Sequence, residues 1–246
     1  MRTTCTVKSN RMIDMGETTN IQSVKAVAKW LLWTDVHKTP YSPIIVHHPF
    51  ASSGLTVIGR SSEIIDITQS KENLQRWREF MGAKIDSAKE VVSVYLMLNK
   101  TYGLAFLKYA KRDLSGKDLS ELLADAWIRS ESPNMDANVT KGELVAMFEQ
   151  ADKVALMTEQ ERKLLSEFND TVTIYRGVTS YNAKNIKALS WTIDKKKAEW
   201  FAHRFGENGT VYKSQISKDK ILAYFIGRGE SEIIVNPKDL KQIKAI

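Results

Sequence analysis

Cysteine is nearly missing: Cys5 is the single one in the chain, so no internal disulfide can form, and cysteine-rich metal sites and thiol pairs are excluded. Apolar runs are short. The first twenty residues hold none long enough for a signal peptide, and no later stretch approaches the roughly 18 apolar residues a membrane span needs. A soluble, cytoplasmic protein with no membrane partner is expected. There is no glycine-rich phosphate loop, no helix-borne pair of metal-binding histidines, no internal repeat and no low-complexity linker. A composition of 43% hydrophobic and 26% charged residues leaves out a mainly disordered, coiled-coil or collagen-like chain, and 246 residues suffice for one large domain or two small ones.

What is present is unevenly placed. The net charge is +7, and from Asn169 onward 14 Lys and Arg face 8 Asp and Glu, so the excess sits in the last third. Such a surface attracts a polyanion, an acidic protein or a phosphorylated ligand, or is simply solvated. A nucleic-acid partner rests on that charge alone, because basic residues do not interleave with aromatics.

Periodicity divides the chain near residue 170. Ile21, Val24, Val27 and Leu31 predict a helix behind Thr19 and Asn20. Residues 40–59 read as loop with short strands. Leu74, Trp77 and Met81 form a helical stripe ending near Gly82. Val91, Tyr95 and Leu98, then Leu104 and Leu107, then Leu119, Leu122 and Trp127 continue the pattern. Thr140 with Glu143 and Thr158 with Glu161 have the spacing of capping boxes. Trp30, Trp33, Trp77, Tyr95, Tyr102, Tyr109 and Trp127 stand at helical spacing among Leu and Val and are assigned to the core. After Phe168, β-rich runs cover 171–175, 210–216, 221–225 and 233–235. One helix is predicted between them over 195–205, with Ala198, Phe201, Ala202 and Phe205 on one face. The expectation is a mainly helical segment, 1–169, packed with a β-rich segment, 170–246, as lobes of one unit.

Candidate chemistry clusters in the second segment. His47 and His48 are neighbours that point to opposite faces of a strand, so they read as surface or loop histidines rather than metal ligands. Tyr175-Arg176-Gly177 puts an arginine at a strand end, followed by a residue that leaves the backbone open to a ligand. In Ser190-Trp191-Thr192 the two hydroxyls share a face, and Glu230-Ser231-Glu232 places two carboxylates just before an apolar strand. A guanidinium of this kind holds a phosphate by paired charge-assisted bonds, and two carboxylates can divide stabilisation of a cation from proton transfer. The alternative is that Arg176 bridges Glu230 or Glu232 across the sheet.

These segments, in this order and with Ala198-Glu199-Trp200-Phe201-Ala202 between the second and third, resemble the arginine-serine-glutamate class of mono-ADP-ribosyltransferases. The resemblance covers about residues 170–246, and the text from Trp127-Ile128-Arg129-Ser130-Glu131 through Leu156-Met157 looks more loosely like prophage members. It implies an α+β ADP-ribosyltransferase fold, with a helical lobe packed on a split, mostly antiparallel sheet. It also implies transfer of ADP-ribose from NAD, without a metal, to a protein acceptor such as a phage's host protein. By the same resemblance Arg176 holds an NAD phosphate and its ribose, and the Gly177 backbone meets the nicotinamide carboxamide. Ser190 orients the catalytic Glu232, Thr192 supports the strand, and Phe201 packs on the nicotinamide. Glu232 stabilises the ribose cation, and Glu230 prepares an arginine acceptor. Trp191 departs from the family's usual Ser-Thr-Ser, and the interval from Arg176 to Ser190 is short. NAD glycohydrolysis and a catalytically silent binding module remain as alternatives.

Overall fold

The computed structural model describes residues 17–59 and 61–246; Cys5 and the amino-terminal stretch through residue 16 lie outside them. Helix α1 (Ile21–Leu32) begins where the Asn20 side chain accepts from the Ser23 N–H, and it buries Val24, Ala28, Leu31 and Leu32 at three- and four-residue steps. A three-stranded antiparallel sheet follows, β1 (His37–Thr39), β2 (Ser42–His48) and β3 (Ala51–Ser53), then a hairpin of β4 (Leu55–Ile58) and β5 (Glu63–Asp66). His47 is exposed and His48 fully buried, on opposite faces of β2. His48 is thus a core residue rather than a surface one, stacked edge-on at 5.0 Å from Trp77.

Helix α2 (Lys71–Ser87) runs through Gly82 without the expected break, since a single glycine weakens a helix without ending it and a Cβ there would meet nothing. Five short helices and a last one complete this half: α3 (Val91–Tyr95), α4 (Gly103–Ala110), α5 (Gly116–Arg129), α6 (Lys141–Gln150), α7 (Lys153–Leu156) and α8 (Glu159–Ser166). Both capping boxes close at α6 and α8, with reciprocal Thr–Glu bonds. The aromatic assignment needs correction. Trp77, Tyr95 and Trp127 are core, but Trp30 on α1 and Trp33, just past its end, are each 54% exposed, and Tyr109 on α4 is 44% exposed.

The last third supplies β6 (Thr171–Val178), β7 (Ser190–Thr192), α9 (Lys195–Ala202), β8 (Thr210–Ser217), β9 (Ile221–Phe225), β10 (Glu232–Val235) and an unanticipated edge strand, β11 (Lys241–Ala245). They form a six-stranded antiparallel sheet in the order β11-β8-β6-β7-β10-β9, so the chain is of the α+β class. Strands β6 and β8 pair from Thr171↔Ser217 to Val178↔Thr210, whereas β6 and β7 meet only at Tyr175↔Thr192. Beyond that pair the two three-stranded halves part. Helix α9 lies on β6 through Ala198 and Ala202 and stops there. Phe205, expected on the same buried face, has a φ of 64° and turns outward. One continuous apolar core joins the helices to the sheet, from Val24 and Leu107 through Trp127 and Phe148 to Ile174, Trp191 and Ile234.

Candidate active site

The parting of β6 from β7 opens into a cleft of 470 Å³, and Arg176, Gly177, Ser190, Thr192, Phe201, Glu230 and Glu232 all line it. The helical half closes one side with residues Glu131–Met135. All seven residues singled out in the sequence are therefore brought to one place, though not all for the anticipated reason.

Glu232 is the first residue of β10, faces Thr192 in register, and is 4% exposed. Ser190, diagonal to it on β7, donates its hydroxyl to Glu232 Oε1 at 2.5 Å. Trp127 of α5 donates its indole N–H to the same oxygen at 3.1 Å. Burial raises the Glu232 carboxyl above the ordinary carboxylate value; the bonds from Ser190 and Trp127 and the charge of Arg228 oppose that, and Glu230 adds to it.

Arg176 makes no ion pair with either glutamate. Its Nη1 donates to the Ser190 carbonyl at 2.6 Å across the parting of the strands, and its Nε is buried without a hydrogen-bond partner. Burial draws the guanidinium down to about 10, against the pull of Glu232, so it stays cationic at neutral pH. The bridge proposed for Arg176 is made instead by Arg228, whose Nη2 lies 3.1 Å from Glu230 Oε2 and 3.7 Å from Glu232 Oε2.

Gly177 is a glycine for a reason other than ligand access: a Cβ there would stand 2.2 Å from the Ala198 carbonyl and 2.5 Å from the Ala202 nitrogen. Helix α9 occupies that space. The Thr192 hydroxyl is turned to the backbone, donating to the Glu230 carbonyl at 2.6 Å and accepting from the Asp194 N–H at 3.0 Å. It fixes the turn that carries the carboxylates rather than offering a free hydroxyl. Trp191 also lines the cleft, but it is 2% exposed, belongs to the apolar core and donates its indole N–H to the Ala188 carbonyl at 3.0 Å. Phe201 is half-buried on the cleft wall, edge-on to Trp200 at 5.0 Å, and Tyr181 and Phe205 stand exposed at the rim.

Sequence reasoning missed three contributors. Trp127 was assigned to the core alone, and no local signal marks its bond to a residue 105 positions away. Asn134 accepts from the Leu189 N–H at 2.9 Å and pins the start of β7 to the helical half. Arg228 had a usable signal, a cation on a glycine-flanked turn two residues before the first glutamate. Among the described residues no group of three or more His, Cys, Asp or Glu is arranged to hold a metal ion. Comparison of the chain with family models, with curated proteins and with solved structures finds no match.

Proposed function

We propose that the chain is a mono-ADP-ribosyltransferase that moves ADP-ribose from NAD to an arginine of a protein and releases nicotinamide. The observation that carries this reading is the Glu232 carboxylate, buried in the cleft and held at one oxygen by both Ser190 and Trp127. A binding role has no need of a carboxylate fixed twice and kept from water. The succession Arg176, Ser190, Glu232 along β6, β7 and β10 and the parted antiparallel sheet support an ADP-ribosyltransferase fold.

NAD fits the groups present. Arg176 keeps a buried N–H without a partner, a donor an anionic phosphate oxygen would satisfy, and the cleft volume lies within the roughly 300–1,000 Å³ typical of ligand pockets. Arg176 would hold the phosphate, Phe201 would offer an aromatic face to the nicotinamide, and the Gly177 backbone, which also lines the cleft, would meet its carboxamide. Glu232 supplies fixed negative charge where positive charge grows on the ribose as the bond to nicotinamide breaks. Ser190 and Trp127 hold that charge in place beforehand. Glu230 takes the proton from the acceptor, since a guanidinium is protonated at neutral pH and a poor nucleophile until deprotonated.

NAD glycohydrolysis is the second reading, favoured by one contact: Arg228 engages Glu230, and water needs less activation than a guanidinium. The test is incubation of the full chain with NAD labelled in its adenylate half and a cell lysate. Hydroxylamine-sensitive label on a discrete protein is expected. Free ADP-ribose alone supports hydrolysis, and neither product leaves a silent binding module. Glu232→Gln keeps shape and loses charge, so both products should fall by about two orders of magnitude while NAD still binds. Near wild-type turnover in that variant overturns the assignment.

A further inference from the structure

Three acceptors from two parts of the chain converge on one guanidinium. Arg228 Nη2 contacts Glu230 Oε2 at 3.1 Å and Glu232 Oε2 at 3.7 Å, while Nη1 donates to the Ser130 carbonyl, just past α5, at 3.1 Å. Two carboxylates on one small turn repel each other unless a cation stands between them. A planar fork meets both and the carbonyl at once, whereas a lysine ammonium is a compact point charge without that reach.

The support beneath Arg228 is slight. It sits on the turn 226–229, closed by the Gly229 N–H to the Ile226 carbonyl, with Gly227 and Gly229 on either side. A Cβ at either glycine would meet nothing, and Gly229 has a φ of 61°. The turn is held at its ends by Glu161 on the Ile226 N–H and by Thr192 on the Glu230 carbonyl, while at its tip the 32% exposed Arg228 side chain is held by the contacts of its guanidinium.

We infer that Arg228 is an internal stand-in for the acceptor, filling a guanidinium subsite made by Glu230, Glu232 and the Ser130 carbonyl that an incoming arginine must take from it. This rests on the transferase reading for its biological meaning, but the subsite itself can be tested without NAD. A tethered ligand competes at the high effective concentration of an intramolecular partner. Short guanidines should therefore bind the wild-type chain weakly, and hydrolysis should be the resting reaction while Glu230 is engaged.

The experiment titrates agmatine, which carries one guanidinium, into the full chain by calorimetry in the absence of NAD. Arg228→Ala is expected to bind agmatine about tenfold more tightly than wild type. Arg228→Lys, which keeps a cation but loses the fork, should fall between. Adding Glu230→Gln to Arg228→Ala should remove the gain, and putrescine, with ammonium groups only, should gain less than agmatine. Thermal melting checks that each variant is folded, and the lysine variant carries the comparison if the alanine one is not. Equal or weaker agmatine binding once Arg228 is replaced overturns the inference. Nicotinamide release from NAD is followed in parallel. No release from any variant, with the agmatine gain present, counts against the transferase reading and leaves the subsite. Release without the gain removes the subsite alone.

Discussion

The indole of Trp127 does two things that can be separated. Its ring packs edge-on against Phe148 with centroids 5.1 Å apart, and its Nε1 donates to Glu232 Oε1. Trp127→Phe keeps most of the packing and removes the donor. Burial already holds the Glu232 carboxyl above its ordinary value, and the Trp127 bond opposes that shift, so losing the bond moves it higher still. On the proposed transferase reading Glu232 works as an anion, so activity is expected above its pKa and should be lost as pH falls through it. The acid limb of nicotinamide release should move to higher pH in Trp127→Phe, with kcat at neutral pH lower by about tenfold, the scale of a hydrogen bond to a charged group. A residue that served only packing would lower the melting temperature and leave the limb in place. The contrast with Ser190 and Glu232 shows what a sequence can reveal of this site. Polar residues at strand ends, in a recognisable order, are visible without coordinates. Trp127, Asn134 and the Arg228 contact to Ser130 are not, because their partners are set by how the helical half docks on the sheet.

Elements whose stability is settled within a few residues were the readable ones. Both capping boxes need only a Thr and a Glu three apart, and both close. β11 escaped because its residues Lys241–Ala245 are largely exposed and lack an alternating apolar face, pairing along the sheet edge through β8 backbone. The stripe assigned to 195–205 failed at Phe205 because the chain leaves helical geometry there. Between β6 and α9, Gly177 gives a sharp test. Gly177→Ala sets a methyl against helix backbone rather than a yielding side chain, so α9 must shift, and a loss of about 1–3 kcal/mol is expected from chemical denaturation. Phe201 rides on that helix, so NAD affinity should fall with it, and unchanged stability would show that α9 is not held against β6 as described. β2 and α2 supply a pH-dependent contact. Burial lowers His48 to about 4 from an ordinary 6.5. A depressed histidine leaves the unfolded chain binding more protons between those values, so stability is full above about 6.5 and lost as pH falls toward 4, by about 3 kcal/mol. The denaturant midpoint followed from pH 7 to 4 should show this slope, and His48→Phe should flatten it.

At the scale of the whole molecule, the cleft belongs to neither half. The basic, β-rich end holds Arg176, Ser190, Glu230 and Glu232, while the helical half contributes the Trp127 donor, the Ser130 carbonyl and the Asn134 side chain. Polar ties reinforce the shared core: Glu161, already closing its capping box, accepts from the Ile226 N–H at 2.9 Å, and Lys153 donates to the Ile221 carbonyl at 3.0 Å. One face of β9 is covered by α6, α7 and α8, and Trp127 and Ile234 belong to the same apolar cluster. A segment cut at residue 170 would expose that face and leave Glu232 without one of its two donors. The full chain is therefore expected to unfold in one cooperative calorimetric transition, with equal calorimetric and van't Hoff enthalpies. The segment 170–246 expressed alone should show no cooperative transition and no nicotinamide release from NAD. Adding the segment 1–169 in trans should restore both only if the two associate through the shared core. Two separate transitions in the full chain, or a lone 170–246 that melts cooperatively and releases nicotinamide, would show that the helical half is an accessory and that the Trp127 bond is dispensable.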